Sequence, residues 1–358
     1  MKVAGGERSE AGVDSGLVMT VEGPIAVEKL GVTLMHEHIL NDCRCWWHPP
    51  KEPERQYLAE RPVSIEILSE LRQDPFVNKH NIALDDENLA IEELAQFVAA
   101  GGATVVDPTC IGIGRNPQAL RRIAQATGLN IVMGSGYYLQ TSHPPELADM
   151  TAEDVADTIV REALTGVDGT DARIGLIGEI GVSSEFTPDE EKSLRGAVQA
   201  QARTGLPLMV HLPGWFRLAH RVLDIVEAEG GDISHTVLCH MNPSHDDLAY
   251  QSELASRGAF IEYDMIGMDY FYADQQVQCP SDEDAARAIV RLVETGHLGR
   301  ILLSQDVFIK MMLTRYGGNG YAFVVRHFLP RLKRLGLDDL AIDRLMRSNP
   351  KSVFSSAA

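Results

Sequence analysis

Hydrophobic and polar positions alternate along this chain on two length scales. From about Leu34 onward, short runs dense in apolar and β-branched residues are separated by longer amphipathic stretches. The runs fall at 33–36, 103–107, 130–134, 174–179, 207–211, 236–240, 259–263 and 301–304, each bounded by Gly, Pro or polar residues. That is the pattern of strands buried on both faces of a parallel sheet. The intervening periodicity predicts helices over 88–100, 117–127, 152–164, 188–204, 216–229, 246–257 and 282–294, with an eighth over 321–335. Thr187-Pro188-Asp189-Glu190 reads as an N-cap with Pro at the first helical position, and Gly101-Gly102, Gly205, Gly258 and Gly296 mark helix ends. Eight strands alternating with eight helices favour an α/β chain folded as a (β/α)8 TIM barrel. No dinucleotide-type Gly-rich turn follows a predicted strand, which argues against an open doubly wound sheet.

Two regions depart from the bare barrel. Residues 16–32 read as an antiparallel β-hairpin ahead of the first strand. The segment from Ile39 to Asn88 is a long β1–α1 insertion, far beyond the usual ~2–6 residues, and holds Trp46, Trp47, His48 and the pair Pro49-Pro50. It is expected either to wall or cover a pocket at the catalytic face, or to pack as a partly helical excursion on the outer ring. Residues 1–15 read as a flexible tail and 16–358 as a single domain.

The 358 residues suit one barrel of roughly 250 residues plus insertions. With 51 acidic against 32 basic residues the formal charge is −19, a surface that phosphate backbones and anionic membranes repel. Neither nucleic acid nor membrane is therefore expected as a partner, and no stretch is long and apolar enough for a membrane span. The five scattered cysteines form no disulfide framework, so a reduced cytoplasmic location is the simpler expectation.

The chemistry lies at the strand ends. His36 and His38, in Met35-His36-Glu37-His38, end the first strand; Glu179 ends the fourth, His211 the fifth and His240 the sixth, and Asp306 follows the eighth. In a barrel all C-terminal strand ends reach one face, so these six side chains converge. Glu179, His211 and His240 are each about 30 residues apart, roughly one βα unit, and Asp306 follows after about two more. Residues i and i+2 share a strand face, so His36 and His38 point inward and Glu37 away. Four imidazoles and two carboxylates exceed the needs of one four-coordinate ion and suit two bridged ions. The natural division gives His36, His38 and Asp306 to an inner ion and His211 and His240 to an outer one, with Glu179 bridging. Zinc is the first choice, though Mn, Co, Ni or Fe accept the same ligands. Two ions sharing a hydroxide form hydrolytic machinery, in which Asp306 takes the hydroxide's proton and delivers it to the leaving group.

The His-x-His, Glu179 within Gly178-Glu179-Ile180-Gly181, the single histidines of strands five and six and Asp306 resemble the phosphotriesterase family of the amidohydrolase superfamily. The likeness runs from about Gly16 to Phe354 and includes Tyr316-Gly317-Gly318-Asn319-Gly320-Tyr321 and Asn349-Pro350-Lys351. It is nearest to the phosphotriesterase-related branch, which carries Glu where other members have a carboxylated lysine. Organophosphate-cleaving and lactonase relatives carry His or Arg after the strand-seven Asp, and a relay Asp after the strand-six His. Here Asp264 precedes Met265, and His240 precedes Met241-Asn242-Pro243. The resemblance therefore implies a hydrolase of a carboxylic ester, lactone or N-acyl amide rather than of an organophosphate, and a homodimer. Tyr138 matches a tyrosine that lactonase relatives place over the metals, and Met265 and Trp46 are further candidate contacts for a small-molecule substrate. Arg315 is a candidate for a substrate carboxylate, and His245 and Asp246 for the lost relay. Two other readings stay open: a mononuclear deaminase, which would need a Glu soon after His211, and a non-catalytic barrel binding a small apolar ligand with structural metals.

Overall fold

A computed structural model of the protein describes residues 16–355, so the tail expected over 1–15 lies outside the described residues. Strands β1 (Val32–Leu34), β2 (Gly102–Asp107), β3 (Asn130–Ser135), β4 (Leu176–Gly181), β5 (Leu208–His211), β6 (Thr236–Leu238), β7 (Phe260–Tyr263) and β8 (Ile301–Leu303) form one eight-stranded sheet in sequential order, every ladder parallel. Its two ends meet just beyond β1 and β8, where the Asp306 N–H donates to the His36 carbonyl at 3.0 Å and the His38 N–H to the Val307 carbonyl at 3.1 Å. The chain is therefore a (β/α)8 TIM barrel, as the periodicity predicts.

Glu37 secures that seam. Its side chain turns away from the barrel axis, as expected from its neighbours, and is fully buried. The carboxylate accepts from Ser304 Oγ at 2.8 Å, Gln305 N at 2.9 Å and Val307 N at 2.8 Å. Burial raises its carboxyl to about 8 despite those donors. Inside the barrel, Met35, Val106, Val132, Leu176, Met209, Val237, Phe260 and Leu302 form a continuous buried cluster, one residue at or beside each strand. The interior is a packed core and not a channel.

Helices α1 (Glu87–Ala99), α2 (Pro117–Thr127), α3 (Ala152–Leu164), α4 (Pro188–Thr204), α5 (Ala219–Ala228), α6 (Leu248–Ser256) and α7 (Asp282–Glu294) cover the sheet. Thr187 and Glu190 make a reciprocal capping box at α4. The structure corrects two of the predicted helices. The one expected over 216–229 begins at Ala219, because Phe216 is spent in a turn closed by its N–H on Pro213 O at 2.7 Å. The one expected over 321–335 is a π-turn, Val324–Phe328, followed by α8 (Leu329–Arg334). Pro330 lacks an N–H and crowds the preceding turn, which widens to accommodate it; the π-turn Arg344–Ser348 stands in the same relation to Pro350.

The hairpin ahead of β1 pairs Leu17–Thr20 with Gly23–Ala26. The long insertion is closed at its base by Asn41–Asp42 pairing with Ala83–Leu84. Between them lie 3-10 turns and a short helix, Leu68–Gln73, and both expected roles are met: part packs on the core, and part walls the mouth of the barrel.

Candidate metal centre

The six ligand-type residues meet at the C-terminal mouth. His36 and His38 lie in the loop just past β1, since the ladder ends at Leu34. Glu179 stays within β4 and His211 closes β5, whereas His240 and Asp306 lie beyond β6 and β8. The last two adopt left-handed backbone, φ 57° and 49°, uncommon for non-glycine residues. Each is held by its own N–H: that of His240 donates to Asp264 Oδ2 at 2.9 Å, and that of Asp306 to His36 O at 3.0 Å.

His38 Nε2 lies 3.2 Å from Glu179 Oε1 and 3.4 Å from Asp306 Oδ1. His36 Nε2 lies 3.4 Å from Glu179 Oε2 and 3.7 Å from Asp306 Oδ1. His211 Nδ1 stands 3.0 Å from Glu179 Oε2 and 2.7 Å from His240 Nε2. An ion with four ligand bonds of about 2.1 Å has ligand-to-ligand edges of about 3.4 Å, the scale of most of these separations. His36 Nε2 is buried and without a hydrogen-bond partner. A buried imidazole nitrogen left unpaired among carboxylates fits a cation-binding role.

The opposite ring nitrogens are fixed from behind. His38 Nδ1 faces Thr109 Oγ1 at 2.7 Å, and Thr109 N–H donates to Asp107 at 2.9 Å. His36 Nδ1 faces Glu262 and Asp264, each at 3.4 Å, and His240 Nδ1 faces Asp264 at 3.1 Å. Such partners set ring orientation and tautomer. Burial alone would raise Asp264, but His240 and His36 hold it below the usual carboxylate range. Against the lowering effect of burial, Asp264 raises His240 to about 10. Burial pushes Asp306 up to about 6. Cys239 also adjoins this rear group, and burial raises its thiol well above the ordinary value, so it sits there as a neutral thiol donating to Glu262.

A cavity of about 1120 Å³ opens over the cluster, with His38, Glu179, His211, His240 and Asp306 in its floor. Tyr138, Met265 and Trp46 all line it. The Tyr138 ring meets His211 edge-on at 4.8 Å between centroids, and its hydroxyl accepts from Trp46 Nε1 at 3.2 Å. Arg315 does not reach the cavity: it is exposed and its backbone N–H donates to Glu93. His245 and Asp246 border a separate surface groove beside Arg287 and Arg291, so they do not replace the relay. Sequence reasoning missed the contact of the cavity-lining His48 with Asp74, at 3.3 Å, and the aromatic residues Phe76, Tyr272 and Phe308. Their only signal was position in loops following strands. It named Asp264 only as the residue before Met265 and missed Glu262, and it read neither as a support for the ligand histidines, although one lies in and the other just past the end of β7.

The model of the phosphotriesterase family matches residues 16–354. Among solved structures, a resiniferatoxin-binding protein from Rhodobacter sphaeroides is 70% identical, with a TM-score of 0.96 over 98% of both chains. An N-acetyltaurine hydrolase from Tetraodon nigroviridis is 38% identical over 94% of this chain and 97% of its own. A phosphotriesterase-related protein from Nematostella vectensis is 37% identical over 94% and 98%. With the barrel, the ligand-type cluster and these likenesses together, the chain belongs to the phosphotriesterase family of metal-dependent hydrolases, in its phosphotriesterase-related branch.

Proposed function

We propose that the six side chains hold two divalent ions, zinc by first choice, and that the protein hydrolyses a carboxylic ester, lactone or N-acyl amide. The observation that carries this reading is the split of the Glu179 carboxylate. Oε1 faces His38 at 3.2 Å, while Oε2 faces His211 at 3.0 Å and His240 at 3.7 Å, with His36 at 3.4 Å. One carboxylate thus touches histidines of both proposed ligand sets, His38 on Oε1 and His36 together with His211 and His240 on Oε2.

When bound, two such ions lower the pKa of a shared water and polarise the oxygen of a scissile carbonyl. The chain's own groups do the rest. Asp306 turns Oδ1 toward His36 and His38, leaving Oδ2 to take the proton of the attacking water and pass it to the departing alcohol or amine. Tyr138 and Trp46, joined by their hydrogen bond, flank the path to the cluster and orient the substrate. Met265 after Asp264 and Met241 after His240 leave no basic or acidic relay at those positions, which supports carbonyl over phosphoryl substrates. The N-acetyltaurine hydrolase relatives support an amide within that class. The five free cysteines are in keeping with a cytoplasmic location.

A second reading, an apolar-ligand-binding barrel with structural metals, is favoured by the name of the 70% identical relative. The deaminase reading loses ground, because Leu212-Pro213-Gly214-Trp215 brings no Glu after His211. The test is turnover of an ester, lactone and amide panel by chelated and zinc-reconstituted protein, beside Asp306→Asn. Metal-dependent turnover that falls at least about 100-fold in the variant, with metal retained, is the expected result. Metal-independent turnover, or none on any member of the panel, would overturn it.

A further inference from the structure

The cavity over the cluster is walled by touching aromatic rings drawn from four loops. Trp46 stacks on Phe76 with centroids 5.4 Å apart, Phe76 meets Tyr272 at 5.2 Å and Phe308 at 6.3 Å, and Trp215 abuts Tyr272 at 5.8 Å. Trp46 and Phe76 come from the β1–α1 insertion, Trp215 from the loop after β5, Tyr272 from the loop after β7 and Phe308 from the loop after β8. The polar tips of two are already engaged. Trp46 Nε1 donates to Tyr138, and the Tyr272 hydroxyl donates to Met268 Sδ at 3.7 Å. Burial holds the Tyr272 phenol well above its ordinary value, so it is neutral. Apart from the Trp215 indole N–H, what the belt offers an occupant is ring faces and edges.

Charge around the belt leans negative. Among the described residues lining the cavity, Lys51 is the only lysine or arginine, and it is exposed. Glu185 and Asp274 are exposed carboxylates on the same lining. Glu190 is buried, its carboxylate taken up by donors from Gln140, Ser183 and Thr187. Arg217, adjacent to the lining residue Phe216, turns to Tyr250 and Asp247 instead. An anionic group reaching outward from the cluster meets two exposed carboxylates against one exposed lysine, beside an aromatic wall where a charge without a partner is disfavoured. The cavity also exceeds the ~300–1,000 Å³ typical of sites for drug-sized ligands, far more than a small acetyl conjugate fills.

We infer that the substrate is an uncharged ester or N-acyl amide bearing an aromatic group, which lies along Trp46, Phe76, Tyr272 and Trp215, and that anionic conjugates are rejected. This substrate preference rests on the hydrolase reading for its catalytic half, and on the cavity alone for its binding half. It sets the chain apart from relatives named for N-acetyltaurine, whose sulfonate is an anion.

The test compares two acetamides on the zinc-reconstituted full chain: N-acetyl-2-phenylethylamine and N-acetyltaurine. Binding is followed by tryptophan fluorescence, and hydrolysis by amine release. The aryl amide is expected to bind and to turn over at least roughly tenfold better than the sulfonate. Phe76→Ala and Tyr272→Ala should erase most of that preference. Because Phe76 is buried and its truncation risks the fold, the exposed pair Glu185→Lys and Asp274→Lys tests charge separately and should strengthen sulfonate binding. Equal or tighter binding of N-acetyltaurine by the unaltered chain overturns the inference, as does no measurable binding of the aryl amide. If the aryl amide binds selectively and neither compound is cleaved, the hydrolase reading fails while the binding preference stands. If both are cleaved with N-acetyltaurine preferred, the hydrolase reading stands and the preference fails.

Discussion

Asp264 grips His240 twice: Oδ2 accepts the backbone N–H at 2.9 Å, and Oδ1 faces ring Nδ1 at 3.1 Å. The contact fixes a residue whose backbone is left-handed and aims its Nε2 at Glu179 and His211. Asp264→Asn keeps the shape but removes an ionic acceptor. Zinc affinity is expected to fall by about 10–100-fold, read by competition with a chromogenic chelator. Unchanged affinity would show that His240 is oriented without Asp264.

Glu37 joins the ends of β1 and β8 through Ser304, Gln305 and Val307. Glu37→Ala leaves those buried donors without an acceptor, at about 1–3 kcal/mol for each group left unsatisfied. Denaturant unfolding at fixed zinc concentration is expected to show a loss of about 3 kcal/mol or more. A loss under about 1 kcal/mol would mean that the seam closes without it.

Arg115 and Glu162 form a buried pair on the outside of the barrel, with contacts of 2.7 and 2.8 Å, and Arg115 also reaches Asp168 at 2.8 Å. Neither residue lines the cavity. Arg115→Ala strands the Glu162 carboxylate, and about 3–5 kcal/mol of stability should be lost. Turnover per folded molecule should stay within about twofold. A matching loss of turnover in fully folded protein would tie this pair to the mouth of the barrel.

Tyr138→Phe keeps the ring against His211 and removes the acceptor for Trp46 Nε1. KM is expected to rise severalfold, with kcat within about threefold, the signature of an interaction made equally in ground and transition states. A fall in kcat of about 100-fold with unchanged KM would instead place the hydroxyl at the reacting oxygen.

The barrel was legible because its strands are buried on both faces and so carry unbroken apolar runs, and because residues such as Thr187, Glu190 and Gly205 mark helix ends chemically. The convergence of His36, His38, Glu179, His211, His240 and Asp306 was legible for a topological reason: successive strand ends must share a face. The cavity wall was not. Phe76 and Tyr272 lie almost 200 residues apart in irregular loops, and their contact depends on tertiary packing that periodicity does not encode. His48 and Asp74 are brought together by the path of the insertion between its paired ends, Asn41–Asp42 and Ala83–Leu84. Pro330 did carry a local signal, since proline inside a helical pattern predicts a disturbed turn.

Metal per chain, measured by elemental analysis on protein purified without chelator, bears on the shared role of Glu179. About two ions are expected for the unaltered chain, as for other sites with a bridging carboxylate, and clearly fewer for Glu179→Ala. One ion per chain, unaffected by that substitution, would contradict the bridge and the two-ion hydrolase built on it.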